Sequence, residues 1–193
     1  MSRGRSPRVG VLALQGDFRE HVASLRAVGA EAVEVRGPSD LDSVAALIIP
    51  GGESTTIGKL ATRFGLIDPL VKRIDAGMPT WGTCAGMIFL AREVNGPEQP
   101  LLKALDVVVE RNAFGRQNDS FETDLEIDGL AEPFRAVFIR APWVIKVGDR
   151  VDVLASVEGH PVMVQDRHIM ATSFHPELTG DVRLHQRLVD LVE

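Results

Sequence analysis

A single cysteine, Cys84, is all the thiol this chain carries. One thiol cannot close an internal disulfide or build a multi-cysteine metal site, and it points to a reducing compartment. Long apolar runs are missing too: no stretch approaches the roughly 20 residues that a membrane-spanning helix needs. Positive charge is not in excess. The 21 Lys and Arg stand against 27 Asp and Glu, a formal net charge of −6, which leaves no basic footprint for nucleic acid. No histidine pair has a ligand spacing such as H-E-x-x-H, so no metal is assigned. The start, Met1 to Arg8, is basic, but the apolar run after it, Val9–Leu14, is too short for a signal peptide and ends without a cleavage site. No repeat, low-complexity tract or Pro/Ser-rich linker divides the 193 residues. These absences leave one cytoplasmic domain, residues 1–193, in which Met1–Pro7 reads as a frayed start.

Hydrophobic residues make up 45% and charged residues 25% of the chain, enough apolar surface to offset the entropy of ordering it. The first half alternates strand and helix. Val9–Leu14, Ala32–Val35 and Ala45–Ile49 read as strands, the first and third buried on both faces. Phe18, Val22, Leu25 and Val28 follow a helical period that stops at Gly29. Thr55–Ala76 reads as helix, interrupted near Gly65 and Asp68-Pro69, and Ala85–Glu93 as another. Such spacing implies right-handed βαβ units and a parallel sheet. The second half turns to short β-type runs: Val107–Val109, Phe121–Ile127, Ala136–Ile139, Val151–Val157, Val162–Gln165 and Ile169–Thr172. A last amphipathic helix shows Leu184, Leu188, Leu191 and Val192 on one face.

Three segments carry chemistry. Gly82-Thr83-Cys84-Ala85-Gly86 stands where a strand hands over to a helix, the same device as the nucleophile elbow of G-x-S-x-G hydrolases. The turn lifts Cys84 above the sheet edge, at a helix N-terminus whose positive end favours the thiolate. The Ala85 amide is one of that helix's unpaired donors and points where an oxyanion would develop. Taken alone, a lone cysteine is more often a small core residue. Ser173-Phe174-His175-Pro176-Glu177 follows the last strand. His175 can take the thiol proton and return it to a leaving amine, and Glu177 can fix its tautomer, with Pro176 stiffening the spacing. A turn histidine beside a solvated glutamate would look the same. The other histidines are His21 on the first helix, His160 before a proline in a loop, His168 in a hairpin turn and His185 on the last helix. Finally, Pro50-Gly51-Gly52-Glu53-Ser54 ends the third strand, with backbone amides open to a substrate and Ser54 or Thr55 placed to cap the next helix.

In this order the segments PGGES, GTCAG and SFHPE resemble the class I glutamine amidotransferases. The likeness goes further. LALQG (12–16), REH (19–21), PGGESTT (50–56), GTCAG (82–86), VVVERN (107–112), FGRQ (114–117), FIRAP (138–142) and SFHPEL (173–178) are similar to the glutaminase subunits of pyridoxal 5′-phosphate synthase. GTCAG is shared by the whole class, whereas VVVERN, FGRQ and FIRAP are far more specific.

The resemblance implies a flavodoxin-like α/β glutaminase fold with additional short strands in the second half. It implies hydrolysis of L-glutamine to glutamate and ammonia by Cys84 as nucleophile, His175 as base and Glu177 as its orienter. Gly52, Glu53, Ser54, Arg111, Ile139 and Arg140 match glutamine contacts, and the Gly52 and Ala85 amides match the oxyanion donors. The α-amino acid needs partners for its carboxylate and its ammonium, and Arg and Glu supply them. The implied partner is a (β/α)8-barrel synthase subunit in a hetero-oligomeric lyase complex, which uses the ammonia for vitamin B6 synthesis. No cofactor is implied for this chain. Another synthase's glutaminase or a γ-glutamyl hydrolase on the same fold is the nearest enzymatic alternative, and a non-catalytic regulatory subunit the next. The intact Cys84, His175 and Glu177 weigh against the latter. Trp143, just after FIRAP, is given no role.

Overall fold

A computed structural model describes residues 6–114 and 120–192. Met1–Arg5, with Arg3 and Arg5, and Gly115, Arg116 and Gln117 of the FGRQ segment lie outside the described residues. In chain order the elements are β1 (Arg8–Leu12), α1 (Phe18–Ala27), β2 (Glu31–Val35), α2 (Pro38–Leu41), β3 (Ala46–Ile49), α3 (Ser54–Arg63), α4 (Ile67–Asp75), β4 (Thr80–Thr83) and α5 (Ala85–Leu90). Then come β5 (Ala91–Asn95), β6 (Leu105–Glu110), β7 (Ser120–Leu125), β8 (Phe134–Ile139), β9 (Trp143–Val147), β10 (Asp152–Val157), β11 (His160–Asp166), β12 (Ile169–Thr172) and α6 (Arg183–Asp190).

The central sheet has the order β10-β11-β12-β4-β3-β1-β2. From β2 to β12 every pairing is parallel, and β11 and β10 then run antiparallel as a hairpin extension. The order β2-β1-β3-β4-β12 is the flavodoxin-like arrangement, in which ligands sit at the carboxyl ends of the strands. Side chains of β3 show why the sheet needs cover on both sides. Leu47 and Ile49 join a core with Ile57, Leu70, Ile74 and Phe89 from α3, α4 and α5, while Ala46 and Ile48 join the opposite core with Leu25, Leu184 and Leu188 from α1 and α6. Two smaller sheets, β5-β6-β9 and β7-β8, complete the second half.

Four readings of the sequence need correction. The helix expected over Ala85–Glu93 stops at Leu90, and Ala91–Asn95 is strand β5. Leu102 N and Ala104 N donate to the Phe89 and Leu90 carbonyls, so the returning chain takes the place of a further helical turn. Pairing with β6 then overrides the helical preference of Ala, Arg and Glu. The break between α3 and α4 falls at residues 64–66, around Gly65 at φ +67°, and does not reach Asp68-Pro69. Asp68-Pro69 sits in the first turn of α4, where a missing amide donor costs nothing. His160 opens β11 rather than lying in a loop, and α6 ends at Asp190, with Val189 in place of Leu191 and Val192 as its third buried apolar residue. Strand β9, which begins at Trp143, was not foreseen; Trp143 stacks on His160 with ring centroids 3.5 Å apart.

Candidate active site

The carboxyl ends of β1, β3, β4 and β12 lie side by side, and each releases a loop that contributes to one cavity of about 450 Å³. Cys84, Ala85 and His175 line it from one side, Gly52, Glu53 and Ser54 from another, and Arg111, Ile139 and Arg140 from a third. Glu177 stands behind His175, buried away from the opening. The cavity therefore gathers the site residues read from the sequence, with Glu177 as its backing. Gln15 and Asp17, at the end of β1, also line the cavity.

Cys84 is placed by the sheet. Thr83 of β4 is in register with Thr172 of β12, and Cys84 N donates to Thr172 O at 2.8 Å. The chain then turns at once into α5, which forces Cys84 to φ +49°, ψ −106°, a conformation a non-glycine residue adopts only when its surroundings hold it there. Both flanking glycines are required by close approach. A Cβ on Gly86 would overlap the Ile49 carbonyl oxygen, and one on Gly82 would overlap the Gly86 carbonyl. Ala85, the first residue of α5, has an amide with no partner inside the helix.

His175 is held on both ring and backbone. Its amide donates to Val137 O at 2.8 Å, its ring packs on Gly51 where any Cβ would collide with Cε1, and Nδ1 donates to Glu177 Oε1 at 2.7 Å. Asp17 Oδ2 lies 3.6 Å from the same nitrogen. Burial alone would lower the pKa of His175, but hydrogen bonding and charge from the Cys84 sulfur and the Glu177 carboxylate outweigh it, and the ring is pushed up to about 10. It is protonated at neutral pH. Burial pushes Glu177 upward, and the imidazolium beside it pulls it back. Asp17, His175 and Glu177 also bring one potential ligand atom each within 4.8 Å of one another; the Nδ1 that a metal would need is already taken by Glu177.

The opposite wall is polar and open. The sequence suggested Ser54 or Thr55 as the cap of α3, but the cap is Glu53, whose carboxylate accepts from Thr55 N at 3.0 Å and Thr56 N at 2.7 Å. Burial opposes ionisation, but the Thr56 hydroxyl together with the Thr55 and Thr56 amides outweighs it and holds Glu53 down at about 2. Arg111 Nη2 pairs with Glu53 Oε1 at 3.2 Å. Gln99 ties this wall together: its Oε1 accepts from Ser54 Oγ at 3.1 Å and Thr55 Oγ1 at 2.9 Å, with Arg111 Nη1 at 3.4 Å. Gln15 Oε1 accepts from Glu53 N at 2.8 Å, holding the glycine-rich turn. Gln99 carried no signal in the sequence, because its partners lie more than ten residues away on other elements.

A glutamine amidotransferase family model, described as the SNO glutamine amidotransferase family, matches residues 11–193. The chain belongs to that family. This amidotransferase is 58% identical over 189 residues to pyridoxal 5′-phosphate synthase subunit PdxT of Mycobacteroides abscessus, an alignment covering 97% of this chain and 98% of the relative. It is 58% identical over 184 residues to the subunit of the same name in Pelotomaculum thermopropionicum, covering 95% and 94%. A crystal structure of a glutamine amidotransferase superposes with a TM-score of 0.92 at 55% identity, covering 95% of this chain and 98% of that one. The fold alone extends to a putative GMP synthase protein from Thermoplasma acidophilum, with a TM-score of 0.72 at 18% identity over 98% of this chain and 96% of that one. No helix among the described residues is long and apolar enough to cross a membrane.

Proposed function

We propose that this amidotransferase is one glutaminase domain in which Cys84, His175 and Glu177 hydrolyse L-glutamine and pass the ammonia to a partner synthase subunit making pyridoxal 5′-phosphate. The single observation that carries the reading is the 2.7 Å bond from His175 Nδ1 to Glu177 Oε1, buried directly behind the nucleophile elbow. Glutamine's α-ammonium meets the ionised Glu53 and its α-carboxylate the Arg140 guanidinium, which places the side-chain amide over Cys84. The sulfur attacks the amide carbon. Charge developing on the oxygen is met by the Gly52 and Ala85 amides, and protonated His175 gives its proton to the departing ammonia. The resulting thioester is attacked by a water from which neutral His175 removes a proton, and glutamate leaves.

The partner is a (β/α)8-barrel subunit that combines ammonia with a pentose phosphate and a triose phosphate for vitamin B6 synthesis. The setting is the cytoplasm, supported by the lone cysteine. The complex offers a clean test, because hydrolysis and synthesis can be followed separately. Cys84→Ala abolishes glutamate release, and added ammonium salts restore cofactor formation by the same complex. Glutamate release within tenfold of wild type, about 1.4 kcal/mol of barrier, removes Cys84 from its role; release only from γ-glutamyl peptides moves the substrate class.

A further inference from the structure

Behind the triad lie two fully buried histidines that the hydrolytic steps do not use. His21 projects from α1 and His185 from α6, and neither exposes any surface. His21 Nδ1 is 2.9 Å from His185 Nε2. On its other edge His21 Nε2 faces two groups, the Thr83 hydroxyl at 3.1 Å and Glu177 Oε2 at 3.3 Å. The indole of Trp81 packs edge-on to both rings. Glu177 Oε2 itself has no aligned hydrogen bond among the described residues, and neither has His185 Nδ1.

The protons on this pair can be assigned. Burial first, then the neighbouring His185 and His175, holds His21 well below the usual histidine value of 6.5, and burial holds His185 at about 4 despite Asp181. Both rings are neutral, with one N–H each. If His21 donated from Nδ1, its bare Nε2 would set a lone pair against the Glu177 carboxylate, and His185 would keep an N–H at Nδ1 with no acceptor. Orphaned buried donors are rarer and costlier than orphaned acceptors. In the opposite arrangement His185 Nε2–H donates to His21 Nδ1. His21 then presents Nε2–H to the Thr83 hydroxyl with Glu177 Oε2 beside it, and only a bare acceptor is left over. The second arrangement is the one the contacts favour.

We propose that His21, oriented by His185, is a positioning residue for the reaction: it fixes the second carboxylate oxygen of Glu177 so that the first stays on His175 Nδ1. The proposal rests on the reading of Cys84, His175 and Glu177 as the catalytic triad. Glu177 needs such a hold because a carboxylate two residues from its imidazole still rotates about its own side-chain bonds. His21 touches no substrate and acts through Glu177 alone.

The test uses the full chain in complex with its synthase partner and compares His21→Leu, His21→Gln and His175→Asn. Glutamine places an N–H close to where Nε2 stood, whereas leucine fills the space without one. His21→Leu lowers kcat about tenfold with KM for glutamine within about twofold, the size expected for one lost buried polar contact. His21→Gln recovers kcat to within about threefold of wild type. Thermal midpoints are measured for both. Wild-type kcat in His21→Leu overturns the proposal, and so does an equal loss in the leucine and glutamine variants, which would mark a packing role. Should His21→Leu fail to fold, His185→Leu against His185→Gln makes the same comparison, with recovery by glutamine supporting the relay and equal kcat overturning it. His175→Asn separates the two readings. If it keeps wild-type kcat, the triad falls; if it is inactive while His21→Leu is not impaired, only the positioning role falls.

Discussion

The two walls of the cavity are built on opposite principles. Behind Cys84 the groups are dry: His175, Glu177, His21 and His185 are all buried, hydrogen bonds join His175 to Glu177 and His21 to His185, and Glu177 Oε2 approaches His21 Nε2 to 3.3 Å. Across the opening Glu53, Arg111 and Arg140 are partly or largely exposed, and the Glu53–Arg111 pair, at 47% and 29% side-chain exposure, is one that solvent screens. A buried chain of polar groups sets where protons go, which matters most in the transition state. In the proposed function the wet wall is the one that holds the substrate's charged end, which is the same in ground and transition states. On the proposed reading the back wall would govern kcat and the front wall KM.

That division can be broken, and the largest effect falls on the back wall. His175→Asn should lower kcat by roughly 10²–10⁴, the usual worth of positioned proton transfer, with little change in KM; steady-state glutamate release measures both. Glu177→Gln should be milder, because the base is still present though no longer held in one orientation. Arg140→Ala should raise KM for glutamine by roughly ten- to a hundredfold, corresponding to the loss of one charge-assisted contact, and leave kcat nearly unchanged. If Arg140→Ala instead lowered kcat at constant KM, the front wall would belong to the chemistry.

Stability against pH sharpens the same contrast. His185 is held at about 4 against an unfolded value of 6.5. Its neutral form is the folded one, so the unfolded chain binds more protons below pH 6.5 and stability falls as pH drops through about 4. The loss is on the order of 3 kcal/mol from this group, and unfolding midpoints between pH 7 and 4 should show it. His185→Leu should flatten that slope. His175 has the opposite sign. Its contribution is fully present below pH 6.5 and is lost as pH rises through about 10. Glu53, held down at about 2, contributes fully above pH 4.5 and loses that contribution progressively as pH falls from 4.5 through about 2.

The motifs PGGES, GTCAG and SFHPE were legible because each is one uninterrupted strand end with its loop, so a few consecutive residues hold all the local geometry. The parallel order of the first strands was legible for the same reason, since buried apolar runs alternate with helical periods. Strands β5 and β9 were not. Ala91–Asn95 has good helix formers, and only pairing with β6 makes it extended; Trp143–Val147 follows Pro142 and finds its partner more than thirty residues back. Gln99, Asp17 and the His21–His185 pair were hidden by distance along the chain. His21 and Glu177 stand 156 positions apart in sequence, yet the fold sets Nε2 and Oε2 3.3 Å from each other.

The left-handed backbone of Cys84 has an evolutionary side. A residue held at φ +49° stores on the order of 1–3 kcal/mol that glycine would release. A duplicated copy kept only for docking, with no demand for hydrolysis, would gain from Cys84→Gly in the same step that silences it. On the proposed reading, then, hydrolysis at Cys84 is kept at a standing cost in stability.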